Sequence, residues 1–150
     1  MTVISRDMTK QEKFAAMGGR DSLIAINKVF YDKIYRHPWL KLYFEAIPQS
    51  HIEIQQVDFM QKVLGGENIY VGKSPSNVHD HMFITDELFE VRKKLLCEAF
   101  AETNAHPELV EKWLALDESF RRHIVKNSVD ECKPRFKTDP ILNFTDPENH

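Results

Sequence analysis

Cysteine is scarce: Cys97 and Cys132 are the two thiols in 150 residues. They lie far apart and in no metal-ligand spacing, which excludes a disulfide framework and a Cys-x-x-Cys metal site. Both are expected as reduced thiols, with Cys97 buried on a helix. Glycine is scarce too, and four of its five copies fall in two pairs, Gly18-Gly19 and Gly65-Gly66. Such pairs read as punctuation between longer elements. No apolar run approaches membrane-spanning length, so no membrane is expected as partner. The polar stretch from Met1 to Lys10 has no apolar h-region of a signal peptide, and a cytoplasmic location is the expectation. The net charge of −3 supplies no bulk basicity, so nucleic acid is not an expected partner. No alternating run of strand type and no internal repeat is present. Glycine-rich phosphate loops, Gly-x-Gly-x-x-Gly and Gly-x-Ser-x-Gly are all missing.

What remains is helical patterning in a chain of single-domain length, 42% hydrophobic and 29% charged, so the expected class is all-α. Leu23, Ile26, Asn27, Phe30, Tyr31 and Ile34 recur at three- and four-residue spacing, one helical face, with Asp21 as a candidate cap. Pro38 opens a turn that carries Trp39, Leu40, Leu42, Tyr43 and Phe44. A second helix follows Pro48, with Ser50 and Glu53 as a capping box and Ile52, Phe59, Met60, Val63 and Leu64 as its stripe. Gly65 suits the left-handed residue that ends it. A loop from Glu67 to Asn77 follows, then a short turn around Val78 and His79. Thr85, Asp86 and Glu87 begin a long helix with buried face Leu88, Phe89, Val91, Leu95, Leu96, Ala99 and Phe100. Pro107 opens the last helix, lined by Leu109, Val110, Trp113, Leu114, Leu116, Phe120, Ile124 and Val125. Past Cys132 the prolines and mixed charges predict a flexible tail. The boundaries read as an N-terminal extension at 1–13, a domain at 14–132 and the tail at 133–150.

Three features do not suit a bland helical bundle. Tyr31 and Gln56 are polar groups on apolar faces, and a buried polar group costs about 1–3 kcal/mol unless it is bonded. Either they share a polar target in the core, or Tyr31 reaches solvent and Gln56 bonds backbone. His79 stands in a short segment between two good helices. Neutral imidazole ligates both iron and zinc, and His79 with His81 forms an His-x-His pair. No Glu-x-x-His or Cys-x-x-Cys partner accompanies that pair, which leaves zinc as a weak alternative.

Taken in order, these residues resemble the truncated, two-over-two globin family from Gly18 to about Val129. Gly18-Gly19 is similar to the glycine pair before helix B, and Phe30-Tyr31 to the Phe-Tyr pair on it. Leu40 to Phe44 resembles the segment that ends in a phenylalanine packed on haem. Gln56, Asp58 and Phe59 resemble distal helix E. Leu64-Gly65-Gly66, Tyr70 and Gly72 resemble the glycine motifs and tyrosine after it. Val78-His79, then Ile84 and Phe89, resemble the proximal histidine and its followers. Short motifs of this kind are common by chance, and it is their shared order and spacing that carries the resemblance.

The resemblance implies a sandwich of helices B, E, G and H around haem, with a short helix A and a proximal segment that is mostly loop. It implies non-covalent haem b, since Cys-x-x-Cys-His is absent. His79 is implied as the iron ligand, with Phe44, Phe59, Met60, Tyr70, Val78, Ile84 and Phe89 around the macrocycle. Tyr31 is implied as the distal donor to bound dioxygen, assisted by Gln56, while Ile52 stands where many globins place a polar distal residue. The tyrosine–glutamine pair favours the first subgroup. The other two usually carry a tryptophan on helix G, where this chain has Arg92. His81 is a fallback ligand. The implied partners are dioxygen, carbon monoxide or nitric oxide. The implied roles are oxygen binding or storage, or conversion of nitric oxide to nitrate. The latter needs an external reductase, since no flavin or nicotinamide motif is present. A monomer or weak homodimer is expected. The alternatives are a haem-free helical regulatory or sensor domain on a globin-like fold, and the zinc protein.

Overall fold

A computed structural model describes residues 4, 7–70, 79–134 and 140–147. Its described part is helical, with two isolated β-bridges, Met82 with Leu142 and Ile84 with Val125. The all-α class expected from periodicity is therefore what the chain forms. The short first helix α1 spans Lys10–Ala16. It starts from a capping box in which Thr9 and Glu12 exchange side chain–backbone bonds of 3.1 Å, and it buries Phe14. It thus crosses the boundary placed between residues 13 and 14.

Helix α2 spans Gly19–Arg36. Gly18 at φ 109° and Gly19 at φ 61° turn the chain into it, a left-handed corner that side chains resist. The cap is Gly18, with no side-chain bond. Asp21, the expected cap, instead lies in the first turn, where its charge complements the helix dipole. The face Leu23, Ile26, Asn27, Phe30, Tyr31 and Ile34 is buried, as its spacing predicts.

A 3₁₀ turn at Leu40–Tyr43 leads to helix α3, Gln49–Val63. Here the Ser50–Glu53 box does not form: the cap is Pro48, whose extended backbone precedes a helix already under way at Gln49. Gly65, at φ 97°, ends the helix in the left-handed conformation expected of it. A Cβ at Gly65 would come within 2.9 Å of Lys10, so α1 packs close here.

Helices α4, Asp86–Glu102, and α5, Pro107–Ile124, follow. The Thr85 hydroxyl accepts from Leu88 N–H at 3.1 Å and caps α4. Pro107 occupies the first turn of α5. Cys97 was expected to be buried and is exposed: it falls outside the face made by Leu88, Phe89, Leu96, Ala99 and Phe100.

The four long helices form two antiparallel pairs. In the first, Arg20 near the start of α2 bonds Asp58 (2.8 Å) and Gln61 (2.9 Å) late in α3, while Asp32 near the end of α2 accepts from Gln49 at the start of α3. In the second, Arg121 late in α5 reaches Asp86 at the start of α4 (3.0 Å), and Phe100 late in α4 stacks edge-on to Trp113 at 5.3 Å. The pairs meet across α2 and α4, where Lys33 bonds Glu98 (3.3 Å) and Glu102 (2.7 Å). No described helix is long and apolar enough to cross a membrane.

The described end of the chain is fastened rather than free. Leu142 N–H donates to His81 O, and Phe83 N–H to Leu142 O, both at 2.8 Å. Trp39 Nε1 donates to Phe144 O at 2.7 Å, and the Tyr43 and Phe144 rings meet edge-on at 5.0 Å. Residues 140–147 therefore lie along the segment that carries His81 to Phe83.

Candidate functional site

The inner faces of both helix pairs enclose one apolar cavity of about 160 Å³. Helix α2 contributes Tyr31 and Ile34; α3 contributes Ile52, Gln56, Phe59 and Met60. The segment between them gives Phe44, and Tyr70 closes the wall past α3. His79 and Ile84 come from the segment before α4, Phe89 and Arg92 from α4, and Trp113, Asp117 and Phe120 from α5. Every candidate site residue but one thus lines a single cavity. The exception is Val78, which lies outside the described residues.

Tyr31 is buried because it shares the face of Phe30 and Ile34. Its ring lies 5.0 Å from Phe30 and 6.1 Å, edge-on, from Phe44. The Tyr31 hydroxyl has no hydrogen-bond partner among the described residues. Burial pushes its pKa well above the ordinary tyrosine value of 10, so at neutral pH it is a phenol with a proton to donate. Of the two readings open for this residue, the buried one is what the fold realises. Gln56 is half-buried on the cavity wall and makes no bond to Tyr31 among the described groups. Phe59 is packed edge-on to Tyr70 at 5.2 Å, which fixes the angle of one flat wall.

His79 and His81, two residues apart, have different surroundings. His79 lines the cavity. His81 does not line it and is buried, 3% exposed, beneath the chain end that Leu142 brings. No cluster of three or more His, Cys, Asp or Glu that could hold a metal ion occurs among the described residues. This gives the zinc alternative no ligand set there, because zinc needs at least three protein ligands.

The segment that carries His79 is held by groups that sequence patterning did not reveal. Lys126, just past α5, donates its Nζ to three carbonyls: Met82 (2.8 Å), His79 (2.9 Å) and Ile124 (3.3 Å). Its backbone N–H donates to Ile84 O at 2.8 Å. Burial lowers its pKa, yet an ammonium with three acceptors replaces much of its lost hydration. No periodicity announces such a residue, since it acts through its tip on backbone atoms. Arg92 and Asp117 are a second omission. Arg92 Nη1 donates to both Asp117 carboxylate oxygens at 2.9 Å, and both residues line the cavity. The signal was present as an arginine on the inner face of α4, but its partner is 25 residues away on another helix.

The donor set suits a flat, apolar macrocycle with one central metal. There is one imidazole at the wall, His79, with aromatic and aliphatic walls and two buried phenols, of which Tyr43 already donates to Phe83 O and Tyr31 does not bond any described group. Those are the groups that haem requires: an axial ligand, an apolar enclosure, and a polar group on the side where a ligand arrives.

Comparisons with known proteins point the same way. The family model of the bacterial-like globins matches residues 12–126. Among curated proteins, a group 1 truncated hemoglobin of Tetrahymena thermophila is 28% identical over 97 residues, covering 65% of this chain and 80% of its own. That of Tetrahymena pyriformis is 30% identical over 80 residues, covering 53% and 66%. Among solved structures, truncated hemoglobin from Tetrahymena pyriformis in its Fe(III) form superposes with a TM-score of 0.68 at 24% identity, covering 76% of this chain and 97% of that one. Truncated oxygen-avid haemoglobin from Bacillus subtilis gives 0.68 at 23%, covering 75% and 98%. At these identities the superpositions speak for the fold alone, and that fold is the truncated-globin fold.

Proposed function

Because this chain belongs to the bacterial-like globin family, we propose that its cavity holds non-covalent haem b with His79 as the proximal ligand and binds a diatomic gas beside Tyr31. Haem supplies an iron centre that takes dioxygen, carbon monoxide or nitric oxide. The chain's own residues supply the rest. The carbonyl of His79 is bonded to Lys126, so the residue sits on a fastened turn, and a ligand whose carrier cannot drift keeps its geometry. Phe44, Phe59, Met60, Tyr70, Ile84 and Phe89 exclude water from the faces of the macrocycle, and Val78 is assigned there from the resemblance alone. With haem in place, Tyr31 would offer a neutral O–H from the cavity wall, where a low dielectric strengthens a hydrogen bond to a polar ligand. Gln56 is a second donor within the same wall, and Ile52 keeps its part of the wall dry.

The observation that carries this reading is that His79, Tyr31 and Gln56, from three separate segments, line one apolar cavity. A strong distal donor slows gas release, which suits dioxygen retention or nitric oxide removal better than rapid delivery. Removal of nitric oxide as nitrate draws its electron from an external reductase. We read the protein as one of the first truncated subgroup, the group that its curated relatives are named for, and as cytoplasmic. Purified protein reconstituted with haem b is expected to show an intense Soret band that shifts on reduction and again with carbon monoxide. A protein that gives no Soret band after reconstitution would overturn the reading and leave a haem-free regulatory domain on the same fold.

A further inference from the structure

An ion pair inside an apolar cavity needs a reason. Burying a carboxylate and a guanidinium costs several kcal/mol per ion, and apolar residues of similar size commonly serve stability as well or better. Yet Asp117 is buried, and Arg92, its side chain 27% exposed, lines the same cavity with Phe89 and Trp113. The guanidinium lies over the rings of Phe30 at 5.4 Å and Phe89 at 5.5 Å, which fix its plane. Its bonding is lopsided. Nη1 alone donates to Asp117, to both oxygens, where a fork-to-fork pair would use two nitrogens. Nε and Nη2 have no hydrogen-bond partner among the described residues. Burial works against its charge, but Asp117 outweighs that and keeps Arg92 cationic. Its field reaches the Tyr31 phenol.

We propose that Arg92 makes this cavity a site for small inorganic anions, with the unbonded edge of its guanidinium as the recognising donor and Asp117 as the group that orients it. The ligand class is a compact acceptor such as fluoride or nitrite, taken at the ferric centre of the cavity that Arg92 and Tyr31 both line. An uncharged ligand gains little from Arg92, because a fixed charge acts strongly only on another charge in a low-dielectric space. Arg92 is thus a specificity-determining residue that separates anionic from neutral ligands. Asp117 tempers it, since its carboxylate repels the same anion.

This rests on the haem reading, and one experiment separates the two. Ferric protein is titrated with fluoride and with nitrite, and ferrous protein with carbon monoxide, each followed in the visible spectrum. Arg92→Gln is expected to weaken both anions about 10- to 100-fold, the loss of one charge-assisted hydrogen bond, while carbon monoxide affinity changes less than about threefold. Arg92→Lys keeps the charge without the fork and is expected to fall between. Asp117→Asn is expected to tighten both anions about tenfold, by removing the opposing charge. A purely structural role for the pair would weaken anions and carbon monoxide alike in all three variants, and would overturn the proposal. So would unchanged anion affinity in Arg92→Gln with a normal Soret band. Absence of any Soret band in the wild type would overturn both readings together.

Discussion

The two walls of the cavity are built by different means. The α2–α3 wall is regular: Tyr31, Ile34, Ile52, Gln56 and Met60 all project from long helices whose apolar faces pack against each other. The wall that carries His79 has, among the described residues 79–85, a turn and two isolated bridges before α4 begins. Helical packing gives the first wall its position with many small contacts, none decisive. The second wall is held by a few directed hydrogen bonds from outside itself, from Lys126 and Leu142 above all. A side chain on the first wall can therefore be exchanged with local effect, whereas one fastening removed from the second should loosen the segment bearing His79, the proposed iron ligand.

That contrast can be broken by experiment. The largest effect is expected at Lys126. Replacing it with methionine removes three charge-assisted bonds and should speed haem release about 10- to 100-fold, the range for groups that orient a metal ligand, read by transfer of haem to an acceptor protein. A release rate equal to wild type would show that the proximal segment holds itself. Tyr31→Phe, on the regular wall, should leave haem release unchanged and raise the dioxygen off-rate about tenfold or more, one donor's worth to a partly charged acceptor. Stopped-flow displacement of dioxygen by carbon monoxide measures it. Leu142→Pro deletes the N–H that reaches His81 O and should speed haem release about 2- to 10-fold, a single neutral hydrogen bond. The smallest effects concern caps. Thr85→Ala should cost about 1 kcal/mol in chemical denaturation, and Ser50→Ala less than about 0.5 kcal/mol, because Ser50 caps nothing.

The same contrast explains what could be read in the sequence. Period-3.6 faces announced α2 through α5 and put Tyr31 on the inner face, since helix burial follows spacing alone. Thr85 and Pro107 worked as helix-start signals because both are local to the turn they serve. Ser50 failed as one because Pro48 had already directed the chain into the helix, a choice between two adjacent starts that spacing does not decide. Cys97 failed because apolar character was read without its angle around α4. Lys126, Leu142 and the Arg92–Asp117 pair were illegible for another reason. Each acts across a long sequence separation, through backbone atoms or a single charge, and leaves no period. The resemblance to truncated globins supplied His79, which lines the same cavity as Tyr31; His81, two residues on, does not line it and is buried beneath the chain end.

That separation of two histidines offers the most direct test of the central claim. The visible spectra of ferrous protein and its carbon monoxide complex would be compared for wild type, His79→Ala and His81→Ala, each reconstituted with haem, with and without free imidazole. His79→Ala is expected to lose the wild-type ferrous spectrum and to regain it with imidazole, while His81→Ala keeps it. A His79→Ala protein with the wild-type spectrum, or loss of that spectrum in His81→Ala with rescue by imidazole, would contradict that claim.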